Sequence, residues 1–208
     1  MKFSCSRPEL YEIVSNVSRA VSGKTSLAVL EGILIRAKGD TLSFLGYDLD
    51  LGISAQMGAQ VEEEGEIVLS AKLFVDMMRR MNGDTVTVRT DEKYLTEIKS
   101  GATEFTILGI PSDEFPEIPV VQEEQSISLP QHLLKSMIDQ TLFAISTNDS
   151  KPVHTGSLFQ LEAGELRVVS VDGFRLALRR EKVSAEGTAQ FIIPGKTHSE
   201  KNNLLSDD

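Results

Sequence analysis

The sequence is short of what most catalytic and extracellular chemistries require. Cys5 is the one cysteine among 208 residues, which excludes an intramolecular disulfide and a cysteine-rich metal site. The three histidines, His132, His154 and His198, are scattered without metal-ligand spacing. There is no complete Gly-x-x-x-x-Gly-Lys-Ser/Thr phosphate loop and no nucleophile elbow. No apolar run approaches the roughly 20 residues that span a bilayer. The start, Met1-Lys2-Phe3-Ser4-Cys5-Ser6, has no apolar signal core, so the expected location is the reducing cytoplasm. Positive charge is also scarce: 21 Lys and Arg stand against 31 Asp and Glu, a net charge of −10. That balance argues against a protein that grips nucleic acid over its whole surface. It leaves room for a basic lining on a few helices.

What is present is a repeat. At a constant offset of 124 residues, Leu10, Ile13 and Val14 fall on Leu134, Met137 and Ile138. Val29, Gly32, Leu34 and Ile35 fall on Val153, Gly156, Leu158 and Phe159. Leu42, Phe44, Leu45 and Asp48 fall on Leu166, Val168, Val169 and Asp172, and Ile67, Val68, Leu69 and Lys72 on Phe191, Ile192, Ile193 and Lys196. Apolar matches arise by chance more easily than the Gly32/Gly156 and Asp48/Asp172 pairs in one register. Two copies of one fold are expected, residues 1–120 complete and residues 121–208 incomplete at the carboxy end.

In the first copy, Phe3–Cys5 reads as a strand and Arg7–Ser22 as a helix, opened by a Ser6/Glu9 capping box and ended by a left-handed Gly23. Its inward stripe is Leu10, Ile13, Val14, Val17 and Val21. Strands are expected at Gly32–Ala37, Thr41–Tyr47, Gly52–Met57 and Gly65–Leu69. A second helix, Lys72–Met81, places Leu73, Phe74, Met77, Met78 and Met81 inward. Strands Thr85–Arg89, Tyr94–Ser100 and Thr103–Leu108 follow. Residues 110–119 carry three prolines and read as an extended linker. The pattern then restarts with a strand at Ser126–Leu129 and a helix at Pro130–Ser146. Strands are expected at Gly156–Glu162, Glu165–Val171, Arg175–Arg180 and Gln190–Ile193. This is an α+β layering, helices covering one face of antiparallel sheet. The counterparts of Phe74, Met77 and Met78 are His198, Lys201 and Asn202, so residues past Lys196 are expected to pack poorly, or to form a shifted helix capped by Thr197 and Glu200.

Several segments resemble the beta subunit of bacterial DNA polymerase III, the sliding-clamp family. They are Lys24-Thr25-Ser26-Leu27-Ala28-Val29-Leu30-Glu31-Gly32-Ile33, Tyr47-Asp48-Leu49-Asp50-Leu51-Gly52-Ile53, Phe115-Pro116 with Ile118-Pro119, and Val171-Asp172-Gly173-Phe174-Arg175-Leu176-Ala177. Their order and spacing cover the chain to about Lys196. The resemblance implies a DNA clamp fold and a non-catalytic processivity factor without cofactor. Such a ring-shaped homodimer encircles duplex DNA through phosphate contacts, which carry no sequence information. The DNA-facing residues it implies are Arg7, Arg19, Lys24, Lys72, Arg79 and Arg80 in the first copy, and Lys135, Asn148 and Lys151 in the second. Acids cluster elsewhere, at Glu62-Glu63-Glu64, Glu66, Glu123-Glu124 and Asp207-Asp208. Short peptides of the polymerase III core, the clamp loader and repair polymerases are expected at a pocket walled by His154, Val171, Gly173, Arg175 and Leu176. His154 departs from the family's usual aliphatic residue.

A family clamp has a third domain, which this sequence lacks, so this chain alone is expected not to close the ring. The alternative is a clamp-derived fragment that binds partners without encircling DNA. A third reading, a metal-dependent nuclease using Asp48, Asp50 and Asp172, competes with their being turn residues.

Overall fold

A computed structural model describes residues 1–23, 25–119, 127–148, 150–185 and 187–205. Lys24, Glu123-Glu124, Ser126 and Asp207-Asp208 lie outside the described residues. The chain divides into two compact units, Met1–Val120 and Val121–Asp208.

The first unit opens with β1 (Lys2–Ser6) and α1 (Arg7–Val17). Ser6 caps α1 by accepting a hydrogen bond from the Glu9 amide at 3.5 Å. Pro8 sits in the first turn, where a missing N–H costs nothing. α1 buries Leu10, Val14 and Val17. It stops earlier than its periodicity suggests. Ser18 Oγ donates to the Ser15 carbonyl at 2.8 Å, the chain tightens into a 3₁₀ turn over Ser18–Ala20, and Val21 is extended. Gly23 is not left-handed and plays no part in ending the helix.

Strands β2 (Gly32–Lys38), β3 (Thr41–Tyr47), β4 (Gly52–Gly58), β5 (Gln60–Glu63) and β6 (Gly65–Ser70) follow, then α2 (Ala71–Arg80) and β7 (Thr85–Thr90), β8 (Leu95–Ser100) and β9 (Thr103–Leu108). They form two antiparallel sheets, β5-β1-β7-β8-β9 and β4-β3-β2-β6. α1 and α2 pack on each other, and one core joins them to both sheets through Phe3, Ile33, Ile35, Phe44, Leu69, Phe74, Met78 and Val88. β5 has no apolar alternation to announce it; Val61 pairs with Phe3 of β1. On α2 the buried stripe is Ala71, Phe74 and Met78, three and four residues apart, which leaves Leu73 exposed rather than inward.

Residues 110–118 are not a free linker. Ile110 bridges to Val68 of β6 through two backbone hydrogen bonds of 2.9 and 3.0 Å. A 3₁₀ turn at Ser112–Glu114 then delivers Phe115 into a second cluster with Val29, Leu30, Leu34, Tyr47 and Val68.

The second unit contains α3 (Gln131–Asp139), β10 (Gly156–Glu162), β11 (Glu165–Val171), β12 (Leu176–Lys182), β13 (Ala189–Pro194) and α4 (Gly195–Leu204). Its sheet order, β12-β11-β10-β13, is that of β4-β3-β2-β6. The repeat extends to hydrogen-bond register: Gly32↔Ser70 becomes Gly156↔Pro194, Leu34↔Leu45 becomes Leu158↔Val169, and Tyr47↔Gly52 becomes Val171↔Leu176.

Three expectations fail in this unit. Ile127–Leu129 forms no strand, although Ile127 and Leu129 pack on the core. β1 pairs with β7, and the counterpart of β7 falls past Asp208. α3 ends at Asp139, and Leu142–Ala144 is a separate 3₁₀ turn. Residues 195–204 form a regular helix that packs on α3 and β13. Lys201 is exposed, Asn202 donates to Asp139 Oδ1 at 2.6 Å, and His198 is buried. Thr197 and Glu200 lie inside α4, so they cap nothing; Pro194 holds the cap position.

Candidate DNA-facing and peptide-binding surfaces

In the first unit the basic residues divide by what they touch. Arg19, Lys72, Arg79 and Arg80 are exposed. Arg79 and Arg80 occupy the last turn of α2, where cations meet the negative end of the helix dipole. Arg79 also pairs with Asp76 at 2.6 Å. Arg7 differs. It is half-buried, with Nε donating to the Gly83 carbonyl at 2.8 Å and Nη1 to the Met78 carbonyl at 3.3 Å. Its guanidinium ties the start of α1 to the Met78 carbonyl in the last turn of α2 and to the Gly83 carbonyl in the loop beyond it.

In the second unit Lys135 is half-buried on α3, while Asn148 and Lys151 are exposed in the loop before β10. Asn148 Oδ1 accepts from the Ser150 amide at 3.0 Å, which fixes that loop locally.

A depression of about 500 Å³ is lined by Asn148, Lys151, His154, Gly173, Phe174 and Arg175, among others. Residues assigned from the sequence to two surfaces, DNA-facing and peptide-binding, therefore share one cavity wall. Val171 and Leu176 do not line it. They pair with each other where β11 meets β12, with Leu176 exposed and Val171 half-buried.

The turn joining those strands is built by Asp172. Its Oδ1 accepts from the amides of Phe174 and Arg175 at 3.0 and 3.1 Å, and its Oδ2 from Arg175 Nε at 2.8 Å. The Phe174 amide above all, then the Arg175 groups, hold the Asp172 carboxyl below its ordinary pKa. Gly173 has φ +93°, a conformation the turn itself requires. In the first unit Asp48 Oδ1 likewise accepts from Asp50 and Leu51, and Leu49 takes the strained place of Gly173 at φ +78°. Asp48 and Asp172 are thus turn builders. Among the described residues, no three His, Cys, Asp or Glu side chains gather to hold a metal.

Phe174 stands inside a motif of the sequence, yet the pocket wall inferred from that motif omits it. Its side chain is 100% exposed at the tip of the Asp172 turn, and Arg175 lies 5.6 Å over the ring of Phe143, which is also exposed. An aromatic residue inside an Asp-Gly turn was the signal.

Residues 1–119 match the family model for the DNA polymerase III beta subunit, N-terminal domain, and residues 128–208 that for its central domain. The chain is 36% identical to the beta sliding clamp of Bacillus subtilis and 34% identical to that of Halalkalibacterium halodurans, over all of this chain and 58% of each relative. It superposes on a putative DNA polymerase III beta subunit from Eubacterium rectale with TM-score 0.97 at 37% identity. The DNA polymerase sliding clamp of B. subtilis gives TM-score 0.96 at 36% identity. Both superpositions cover the whole of this chain and 57% of the other. No helix among the described residues is long and apolar enough to cross a membrane. With both units matched in order and the clamp fold reproduced along its whole length, the chain belongs to the DNA polymerase III beta subunit family.

Proposed function

We propose that this chain supplies two of the domains of a non-catalytic sliding clamp, which encircles duplex DNA in the cytoplasm and tethers the replicative polymerase. The observation that carries this reading is the contrast between the net charge of −10 and the exposed Arg19, Lys72, Arg79 and Arg80 on or beside α1 and α2 of a clamp-fold unit. Such a surface attracts phosphate without reading base edges. The second unit carries its own exposed Asn148 and Lys151. His154, Gly173, Phe174, Arg175 and Leu176 offer a mixed apolar and basic wall for short peptides of the polymerase III core, the clamp loader and repair polymerases. β9 suits a subunit edge: it is the outer strand of its sheet among the described residues, and Leu108 on it and Leu95 opposite are paired and exposed.

The chain spans 57–58% of the relatives it matches. Closure of a ring is accordingly assigned to the fuller family architecture rather than to this chain alone. Sedimentation velocity and retention on nicked circular plasmid test this. The chain alone is expected to bind duplex weakly, without sequence preference and with strong salt dependence, and to escape from the circle. A stable closed dimer retained on circular DNA would overturn the assignment of closure. Salt-insensitive or sequence-specific binding would overturn the DNA reading. The second reading, a partner-binding module that does not encircle DNA, is favoured by the exposure of Phe174 and Leu176 in the chain as it stands. Peptide binding that persists while duplex binding is absent would select it.

A further inference from the structure

Given the peptide-binding reading, on which this role rests, we infer that Phe143 is a positioning residue of the peptide wall. Its ring holds the Arg175 guanidinium beside the depression, so that the free edge of that guanidinium receives an acidic group next to the apolar anchor of a bound peptide. Phe143 does not itself line the depression of about 500 Å³, whereas Arg175 does. What the ring meets is Arg175, whose Cζ lies 5.6 Å from its centroid.

Phe143 is an exposed ring on a fixed mount. It is the middle residue of the 3₁₀ turn Leu142–Ala144, between Thr141 and Ala144, which are both buried. Thr141 Oγ1 donates to the Met137 carbonyl of α3 at 2.8 Å, and the Ala144 amide donates to the Thr141 carbonyl at 3.0 Å. The turn also packs on β11. Its backbone is thus held on two sides while Phe143 remains 59% exposed. A phenylalanine so exposed adds little to the core. Its face does attract a cation, provided the cation stands within about 6 Å of the ring centroid.

Two contacts then fix the guanidinium. Asp172 Oδ2 accepts from Nε at 2.8 Å, and the Phe143 ring takes one face. Nη1 and Nη2 are left without a partner among the described residues, at a wall shared with Lys151 and Phe174. A planar fork oriented in advance loses less freedom when it meets a carboxylate. The first unit shows that the turn itself needs neither group. At the 124-residue offset, Arg19 stands in the place of Phe143 and Leu51 in that of Arg175. Asp48 nevertheless accepts from the Asp50 and Leu51 amides, as Asp172 does from those of Phe174 and Arg175. Ring and guanidinium are both present in one unit and both absent from these places in the other, while the turn is common to the two.

The test uses the whole chain and two peptides, acetyl-Leu-Leu-Asp-Leu-amide and the same peptide with Asn in place of Asp. Without peptide, the Arg175 Nε–H proton is expected to resonate upfield of its position in Phe143→Leu and to exchange with water more slowly. Phe143→Leu should weaken the acidic peptide by about threefold, read from the Phe174 and Arg175 amides, and leave the Asn peptide unchanged. Phe143→Tyr, which keeps the ring, should restore both the Nε–H shift and the affinity. An Nε–H signal or an acidic-peptide affinity indifferent to Phe143→Leu would overturn the positioning role. Equal weakening of the two peptides would overturn it as well, since it marks a packing effect. If neither peptide binds the unaltered chain, the peptide-binding reading fails and the assigned ligand with it. The Nε–H comparison, made without peptide, separates that failure from the loss of the ring contact.

Discussion

His198 lies flat against Phe159, with ring centroids 5.1 Å apart and planes inclined by 15°. It occupies the place that Phe74 fills in the first unit. At 1% exposure, neither ring nitrogen has a hydrogen-bond partner among the described residues. The imidazole is used as an aromatic core residue, and it remains one only while neutral. Lys201 on the same helix opposes protonation. Asp139 on the facing helix is engaged with Asn202.

Acid should therefore loosen the second unit before the first. Burial, and then Lys201, push the His198 pKa from an ordinary 6.5 down to about 4. As pH falls through that window the unfolded chain takes the proton first. The contribution is whole above pH 6.5 and lost by pH 4, on the order of 3 kcal/mol at most. Amide protection factors at Phe159 and Val168, after correction for intrinsic exchange, should fall between about pH 7 and pH 4.5, while those around Phe44 hold steady. His198→Phe should flatten the response. If that variant keeps the same acid sensitivity, His198 is not its source.

The repeated glycines should differ in tolerance. A methyl on Gly32 would meet the Val68 side chain at 2.4 Å and the Leu69 carbonyl oxygen at 3.0 Å, whereas a methyl on Gly156 would lie 2.4 Å from the Ile193 carbonyl oxygen, which moves only with its strand. Gly156→Ala is expected to destabilise its unit by about 3 kcal/mol and Gly32→Ala by about 1 kcal/mol. Unit-resolved denaturation measures both, and equal costs would contradict the backbone argument.

Arg7 should act on stability, and Lys72 with Arg80 on DNA. Arg7→Ala removes two hydrogen bonds to carbonyls at the end of α2, for a loss of about 2 kcal/mol. Duplex affinity should change little. Lys72→Ala with Arg80→Ala should leave the melting temperature nearly unchanged. It should lower duplex affinity equally for all sequences, and reduce the slope of log K against log salt by about 0.9 for each phosphate no longer neutralised. Fluorescence anisotropy across a salt series separates the two, and a reversed pattern would move Arg7 back to the DNA face.

Cys5 should be inert until the first unit opens. Burial, with Glu9 nearby, pushes its thiol up to about 12, so at pH 8 roughly one molecule in ten thousand carries the thiolate. Disulfide-exchange reagents should label it at the unfolding rate of the unit. Fast labelling of native protein would place the side chain at the surface.

The sheets were legible because strand alternation and a fixed repeat pointed the same way. Helix ends were less so. Apolar spacing continues through Val21, but Ser18 turns its hydroxyl onto Ser15 and the chain leaves the helix, a local competition that periodicity does not register. β5 carries Gln60, Glu62 and Glu63 around one valine and is a strand only because β1 offers it an edge. For the site, residue types were readable and partners were not. Arg7 has the look of a phosphate ligand in sequence, but Gly83, 76 positions away, holds its guanidinium. Asn148 and Lys151 belong by sequence to a different surface from His154 and Arg175, and only the folded loop brings them to one depression.

The wholly bare Phe174 ring has a cost that the rest of the molecule offsets. A rigid greasy knob on every copy invites indiscriminate clumping in a crowded cell. Ten excess negative charges per chain oppose the approach of neighbouring copies, so charge elsewhere on the chain offsets the exposed ring. Solubility and stickiness are thereby managed by different parts of one surface.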